Sequence, residues 1–295
     1  MAVPLPYHRE PDELPAPLPS QHEIETATDA LPTIRNPDYG GRIVLIRNVY
    51  VVKYGPYMTE NEGHALLLLE HSLSIPAPRL YAMYKHEKQL YMVMQYMPGV
   101  ELEHAWPSLT AEEKDSLLRQ LRSIFQEIRS LSPGKTCYGN IAGGPVPHRY
   151  FLTPETNPAI NGPFETDDDF HAALSLRSHQ NWADNQRHGW TSDFFARHLP
   201  SALRGHRLTL THGDLYRRNI LVQKVSDPVS NTHTYRVTAI VDWETAGWYP
   251  EYWEYASSFA LFQWIDDWPE SMEKVLDPCP LEAALLNMVH KDLEF

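Results

Sequence analysis

Residues 208 to 244, LTLTHGDLYRRNILVQKVSDPVSNTHTYRVTAIVDWE, hold four side chains whose types and spacing suit phosphoryl transfer. His212, Asp214 and Asn219 make an H-x-D-x(4)-N pattern, and Asp242 follows after one more apolar run. Phosphoryl transfer asks mainly for alignment and charge neutralisation. In this pattern Asp214 orients or deprotonates an acceptor hydroxyl, while Asn219 and Asp242 hold a divalent cation against the ATP phosphates. Hard oxygen ligands of that kind suit Mg2+, which completes its shell with phosphate and water. His212 braces the loop by hydrogen bonding. Taken singly, each residue has a bland reading: Asp after Gly is ordinary turn chemistry, and Asp-Trp can simply end a strand. Four at this spacing, on one strand–loop–hairpin, are a far rarer coincidence.

The elements that must position them are legible too. Leu208 to Leu210 is a short apolar strand, and Ile220 to Val225 and Tyr235 to Val241 are two more. The Ser-, Asp-, Asn- and Pro-rich stretch between the last two predicts a hairpin turn. With that turn centred near Ser230, Ile220 falls opposite Val241 and Val225 opposite Arg236. Asn219 and Asp242 then stand side by side at the open end of the ladder.

THGDLYRRNILV and IVDWETAGWYPEYWEY closely resemble motifs of the aminoglycoside phosphotransferase family, part of the protein-kinase-like superfamily. The chain looks most like the large fungal set within it, over roughly residues 40 to 270. The resemblance implies an α+β, two-lobed kinase-like fold. Residues 31–97 would form a nucleotide-binding lobe of sheet plus one helix. Residues 98–295 would form a larger, mainly helical catalytic and acceptor lobe. It further implies that Lys53, in VYVVKYG, grips the α- and β-phosphates of ATP with Glu62 as its ion-pair partner. Met94 would line the back of the adenine pocket, and the backbone of Gln95 and Met97 would bond the adenine edge. Residues 247–254 would floor the acceptor pocket. One departure stands out: no G-x-G-x-x-G precedes Lys53, only Gly40-Gly41 with Arg47-Asn48 after it.

Several of these residues carry a second reading. Thr59 to Glu62 also reads as a capping box, with Thr59 as N-cap; the lysine pair is the favoured use of Glu62. The aromatics Trp248, Tyr249, Tyr252 and Trp253 are either a cation–π cage for an amine or plain packing. Glu165, Asp167, Asp168 and Asp169 either attract a cation or open a helix.

The remaining pattern is coarse. Residues 1 to 30 carry six prolines between Pro4 and Pro19 and read as an arm, mobile or laid along the body in extended form. Hairpins are expected around Arg47-Asn48 and around HEKQ. A long helix follows Thr110, with a capping box to Glu113 and an apolar stripe from Leu117 to Leu131. Ser132-Pro133-Gly134 stops it. Residues 134 to 165 are loop-rich. Helices are expected at about 167–180 and 190–203, then to about Trp264, and from Pro280 to Phe295.

Composition narrows the partners. The net charge of −13 argues against nucleic acid and is compatible with a cationic small-molecule acceptor. Two cysteines, neither in a CxxC, make a disulfide framework or structural zinc improbable. No signal peptide or run of about 18 apolar residues is visible, so the cytosol is the expected location and no membrane span is expected. Two rivals stay open beside an ATP- and Mg2+-dependent small-molecule kinase. One is a silent nucleotide-binding scaffold, although Asp214, Asn219 and Asp242 are all retained. The other is a protein kinase, against which no D-F-G or A-P-E is present.

Overall fold

The computed structural model describes residues 3–31, 41–133, 137–187, 189–227, 232–261 and 266–293. Strands β1 (Tyr7–His8), β2 (Arg42–Ile46), β3 (Tyr50–Gly55), β4 (Leu80–His86) and β5 (Gln89–Gln95) form one antiparallel sheet in the order β1-β4-β5-β3-β2. Side chains alternate across a strand. In β3, Tyr50, Val52 and Tyr54 are therefore buried on one face, while Val51 and Lys53 point to the other. The β2–β3 turn holds Arg47 and Asn48 at φ of 57° and 54°, the left-handed pair that matches hairpin twist.

Each face of this sheet has its own cover. The Asn61–Ser72 helix packs Ala65, Leu66 and Leu69 onto Leu80, Met83, Met92 and Met94. On the opposite face the N-terminal arm lays down Leu14, Ala16, Leu18 and the fully buried Ile24 over Tyr50, Val52, Tyr54, Tyr81 and Tyr91. The arm lies along the body, and within it are β1 and a short helix, Gln21–Glu25, capped by Ser20.

The second lobe is mainly helical. It contains helices Ala111–Ser130, Asp167–Asp184, Trp190–Ala202, Trp253–Leu261, Trp268–Val275 and Pro280–Leu293. Two small sheets lie among them. One joins β6 (Val100–Glu101), β9 (Ile220–Asp227) and β10 (Thr232–Ile240) in the order β10-β9-β6; the other joins β7 (Gly139–Asn140), β8 (Leu208–Thr211) and β11 (Gly247–Pro250) in the order β7-β11-β8. This is the expected two-lobed α+β architecture. The 111–130 helix starts with the reciprocal Thr110–Glu113 capping box and buries Leu117, Leu118, Leu121, Phe125 and Ile128.

One local expectation needs correction, and three double readings resolve to one. Val225 pairs with Thr234, two residues from the expected Arg236, and a bulge between Val237 and Ala239 then narrows the offset to one, so Ile220 pairs with Ile240. Thr238 leaves the ladder there and its hydroxyl donates to Pro98 O at 2.8 Å. Thr59 caps nothing: Glu60 is the N-cap of the next helix, without a side-chain cap bond. Trp248, Tyr249, Tyr252 and Trp253 are all buried among other rings, so they pack the core and form no open cage. Asp167, Asp168 and Asp169 are the first turn of a helix capped by Thr166, where the helix dipole favours acids. Gly40, Gly134, Ser230, Trp264 and Phe295 lie outside the described residues.

Candidate active site

Between the lobes one ammonium meets two carboxylates. Lys53 Nζ lies 2.9 Å from both oxygens of Glu62 and 2.7 Å from Asp242 Oδ1. Lys53 comes from β3, Glu62 from the Asn61–Ser72 helix and Asp242 from the residues just after β10. Burial alone would depress the lysine, but the two acids outweigh it and hold the amine above its usual pKa. Glu62 is raised, first by burial and further by Asp242, against the pull of Lys53. Two acids sharing one lysine leave the trio with a surplus negative charge, a setting that favours a further cation.

Asp242 sits in the left-handed region, at φ 67° and ψ 57°. A non-glycine residue is held there only when its surroundings enforce it. Here Val241 N donates to Asn219 O at 2.9 Å, and the Trp243 indole donates to Ile240 O at 2.9 Å. Asn219 therefore faces Val241, and Asp242 turns out one residue beyond it.

The loop after β8 carries the second group. Gly213 has φ +82°, and a Cβ there would lie 2.8 Å from Thr245 O, so glycine is required. His212 Nδ1 accepts from Asp214 N at 3.2 Å, which leaves Nε2 as the donor to Val241 O at 3.0 Å. Both ring nitrogens are thus spent on holding the backbone. Asn219 Nδ2 donates to Asp214 O at 2.8 Å and to Asp214 Oδ2 at 2.9 Å. Arg218 Nη2 donates to the same Oδ2 at 2.9 Å. Among the described residues both side-chain donors reach the same Oδ2, so one carboxylate oxygen is anchored and Oδ1 takes no bond. Val241 ties this group to the first, accepting from His212 and donating to Asn219 O.

The donor set fits Mg2+ by its chemistry. Asn219 commits its amide nitrogen to Asp214, which leaves Oδ1 as the end able to face a cation. Asp242 supplies a carboxylate beside the surplus negative charge. Among the described residues no cluster of three His, Cys, Asp or Glu could hold a metal, so a soft or all-protein metal cage is not what this site offers.

Three positioning residues were missed in the sequence. Glu254, from the 253–261 helix, is buried and accepts from His212 N at 2.6 Å and Gly213 N at 3.1 Å. Burial raises its carboxyl above the usual range, against the pull of His212 and those backbone donors. Asn61 donates to Glu244 O at 2.9 Å and Ala246 O at 2.7 Å, and accepts from Ile141 N at 3.1 Å. It pins the start of the Glu62 helix to the turn after Asp242. Arg218 is the third. Nothing but its place in the loop distinguished it from Arg217, which instead pairs with Asp266 at 2.6 Å.

The remaining expected residues stand close by. Met94 is paired with Val51 and Met92 with Lys53, which puts Met94 on the same sheet face as Lys53, one strand over. Gln95 N is committed to Arg79 O at 2.9 Å, leaving its carbonyl for any edge-on ligand. Met97 is half-buried in the link that follows β5.

A two-lobed fold with these charged groups at its seam defines a kinase-like phosphotransferase class. The model of the phosphotransferase enzyme family (APH) matches residues 50–273, and the chain belongs to that family. It is similar in structure to the aminoglycoside phosphotransferase APH(3'')-Id from Streptomyces rimosus, solved in complex with ADP and streptomycin. The TM-score is 0.50 and the identity 13%, over 90% of this chain and 92% of that one. A crystal structure of WbdD overlaps 87% of this chain and 45% of its own length, at 14% identity and a TM-score of 0.34. No curated protein matches the sequence. Among the described residues no helix is long and apolar enough to cross a membrane.

Proposed function

We propose that this phosphotransferase, a member of the fungal set of its family, moves the γ-phosphate of ATP to a hydroxyl of a small molecule in the cytosol, with Mg2+. The observation that carries the reading is the junction at Val241. It ties the Lys53–Glu62–Asp242 trio to the Asp214–Asn219 loop, so that a nucleotide's phosphates and an acceptor would meet between them. Lys53 would move its charge from Asp242 to the α- and β-phosphates. Asn219 and Asp242 would hold Mg2+, which when bound neutralises phosphate charge. Asp214 Oδ1 would accept the acceptor's hydroxyl proton while Arg218 and Asn219 keep Oδ2 still. The Gln95 carbonyl and the Met97 backbone would receive adenine, with Met94 behind it and the lobe boundary near Met97. The Streptomyces protein holds ADP and streptomycin together, which supports a small acceptor beside a nucleotide.

ADP release from ATP and a panel of small alcohols and amino alcohols tests this. Turnover with a small alcohol and none with peptides is expected. Asp214→Ala should remove it while calorimetric ATP affinity stays within about twofold. A folded Asp214→Ala protein that no longer binds ATP would contradict the role of Asp214. A wild-type protein that binds ATP and turns over no hydroxyl compound would favour the silent scaffold.

A further inference from the structure

We infer that the N-terminal arm is a positioning clamp on the Lys53–Glu62 pair, with Arg9 its central residue acting through Glu70. Residues 3–31 cross the sheet from edge to edge. At one edge β1 pairs with β4, Tyr7 opposite Met83 and His8 opposite Ala82. At the other, Leu31 N donates to Ile43 O and Leu45 N to Asp29 O, both at 2.9 Å, along β2. Between the edges the arm covers the face formed by Tyr50, Val52 and Tyr54, the reverse side of the strand that carries Lys53. The Tyr50 hydroxyl donates to Ala16 O, and Arg47 donates to Glu23 and, at 2.9 Å, to Pro17 O. The strand holding Lys53 is therefore backed by the arm along its whole length.

The same segment grips the helix that carries Glu62. Arg9 is largely buried, its side chain 8% exposed. Its Nε donates to Leu80 O at 2.6 Å, its backbone N to Tyr81 O at 2.9 Å, and its Nη2 to Glu70. Glu70 lies eight residues beyond Glu62, about 12 Å along the same helix axis. Arg9 is thus locked to the sheet by two bonds and reaches the helix with a third. The Val3 backbone lies against the buried His64 ring, half a turn from Glu62. Val3, Leu5 and Tyr7 pack on the core beneath. A helix of this length turns as a unit, so a grip near its C-terminal end sets the position of Glu62 at its start. If the grip loosens, Glu62 moves off Lys53 and the amine is left with Asp242 alone. Arg9 also donates to Glu13 at 3.3 Å, so the largely buried guanidinium keeps a second acid on its own arm.

This inference rests on the ATP-binding reading for its functional consequence, and the test separates the two. Arg9→Gln, Glu70→Gln and the double variant are compared in the full chain. The measurements are calorimetric ATP affinity and hydrogen exchange of the 61–72 amides. Arg9→Gln should raise exchange in that helix and weaken ATP about fivefold, with the acceptor KM unchanged. The double variant should be no worse than Arg9→Gln alone, and Arg9→Lys should recover part of the loss. Arg79→Gln serves as control: Arg79 also reaches Glu70, at 3.1 Å, but its side chain is 56% exposed. It should change ATP affinity by less than twofold. Should Arg9→Gln lower the melting temperature while ATP affinity and 61–72 exchange stay at wild-type values, Arg9 is only a stabilising residue and the clamp is refuted. Should wild-type protein fail to bind ATP, the phosphotransferase reading falls, and the exchange arm alone still decides whether Arg9 holds the helix.

Discussion

Glu62 and Glu254 are both buried glutamates at the seam of the molecule, and burial raises the carboxyl of each. They differ in what satisfies them. Glu62 takes two bonds from the Lys53 ammonium, a flexible side chain that also holds Asp242, beside a single one from the Trp243 backbone. Glu254 takes its bonds from two consecutive main-chain amides, His212 and Gly213, which have no alternative partner within the loop. An ammonium can be handed from a carboxylate to a phosphate at little cost in geometry. A backbone amide cannot be handed on without refolding the loop. The contrast assigns exchange to the ammonium, which can leave Asp242 for a phosphate, and permanence to the main-chain bonds of Glu254.

The sharpest way to break the contrast is to remove Glu254. Glu254→Ala strands two buried N–H groups and should cost ~3–5 kcal/mol, as for other broken buried networks. A chain this size then melts roughly 10 °C lower. Glu254→Gln keeps one acceptor oxygen and should lie between the two. Thermal unfolding followed by circular dichroism reads this, and a shift within about 2 °C for Glu254→Ala would mean the loop is held elsewhere.

Asp242 should behave in the opposite way. Asp242→Ala removes one of two acids competing for Lys53, but Ala tolerates the left-handed region less well than Asp, so the two effects oppose. Its melting temperature should stay within a few degrees of the wild type. Turnover should nevertheless fall ~10²–10³-fold, the usual effect of deleting a charge aimed at a reacting group. A destabilised Asp242→Ala with unchanged turnover would reverse the assignment of the two acids.

That contrast also marks what was legible in the sequence. Exchangeable groups carry sequence signals, because chemistry demands charged side chains at fixed spacing: Lys53, Asp214, Asn219 and Asp242 all stood out. Permanent supports carry almost none. Glu254 sits in an aromatic-rich helix start where an acid at the first turn looks like dipole chemistry, and Asn61 looks like an ordinary residue near a helix cap. The lobes followed from the family resemblance, and the long 111–130 helix from periodicity. The hairpin register was not readable, since it depends on where the chain turns back and on a bulge at Thr238, whose hydroxyl bonds Pro98, 140 residues away in sequence. The face that receives the arm was not legible, because proline density speaks to local conformation and says nothing of a tyrosine-rich surface.

Acid exposes a further asymmetry around Glu254. His148 is pushed down to about 3, by burial first and then by Arg149 and His290. Its ring packs on Trp253 at 5.0 Å, next to Glu254 in the chain. His171, which bonds the Tyr252 hydroxyl at 2.9 Å, is pushed down to about 4, again chiefly by burial. A histidine depressed in the folded state contributes stability that is complete above its unfolded value, near 6.5. That stability is lost as pH falls toward 4 and then 3. Glu254 has the opposite sign: its raised carboxyl binds its proton earlier in the folded chain, which favours folding as pH falls. The two histidines together should outweigh it, lowering stability by on the order of a few kcal/mol between pH 6.5 and 4. His148→Phe, which keeps a ring against Trp253, should flatten the melting-temperature slope over that window by about half. An unchanged slope would place the acid sensitivity outside this helix.

The smallest expected effect falls on Arg218, which combines both kinds of hold. Its guanidinium is an ionic partner of Asp214, yet it shares Oδ2 with the Asn219 amide and stacks on the Tyr216 ring, 4.6 Å from the centroid. Tyr216 is tied in turn to Glu103 at 3.1 Å. If Arg218 only fixes which oxygen of Asp214 points outward, Arg218→Ala should lower kcat about tenfold, ~1.4 kcal/mol, and leave KM for ATP unchanged. The remaining Asn219 bond keeps the carboxylate partly aligned, which is why the loss stays well below that of Asp214→Ala. Added guanidinium should restore part of the turnover of Arg218→Ala, because the pocket between Tyr216 and Asp214 keeps its shape. Arg218→Lys should fall short of wild type, since an ammonium cannot stack on the ring and reach Oδ2 with the same planar geometry. A rise in KM for ATP with kcat intact would instead give Arg218 to the nucleotide, moving it from the Asp214 side of the Val241 junction to the Lys53 side.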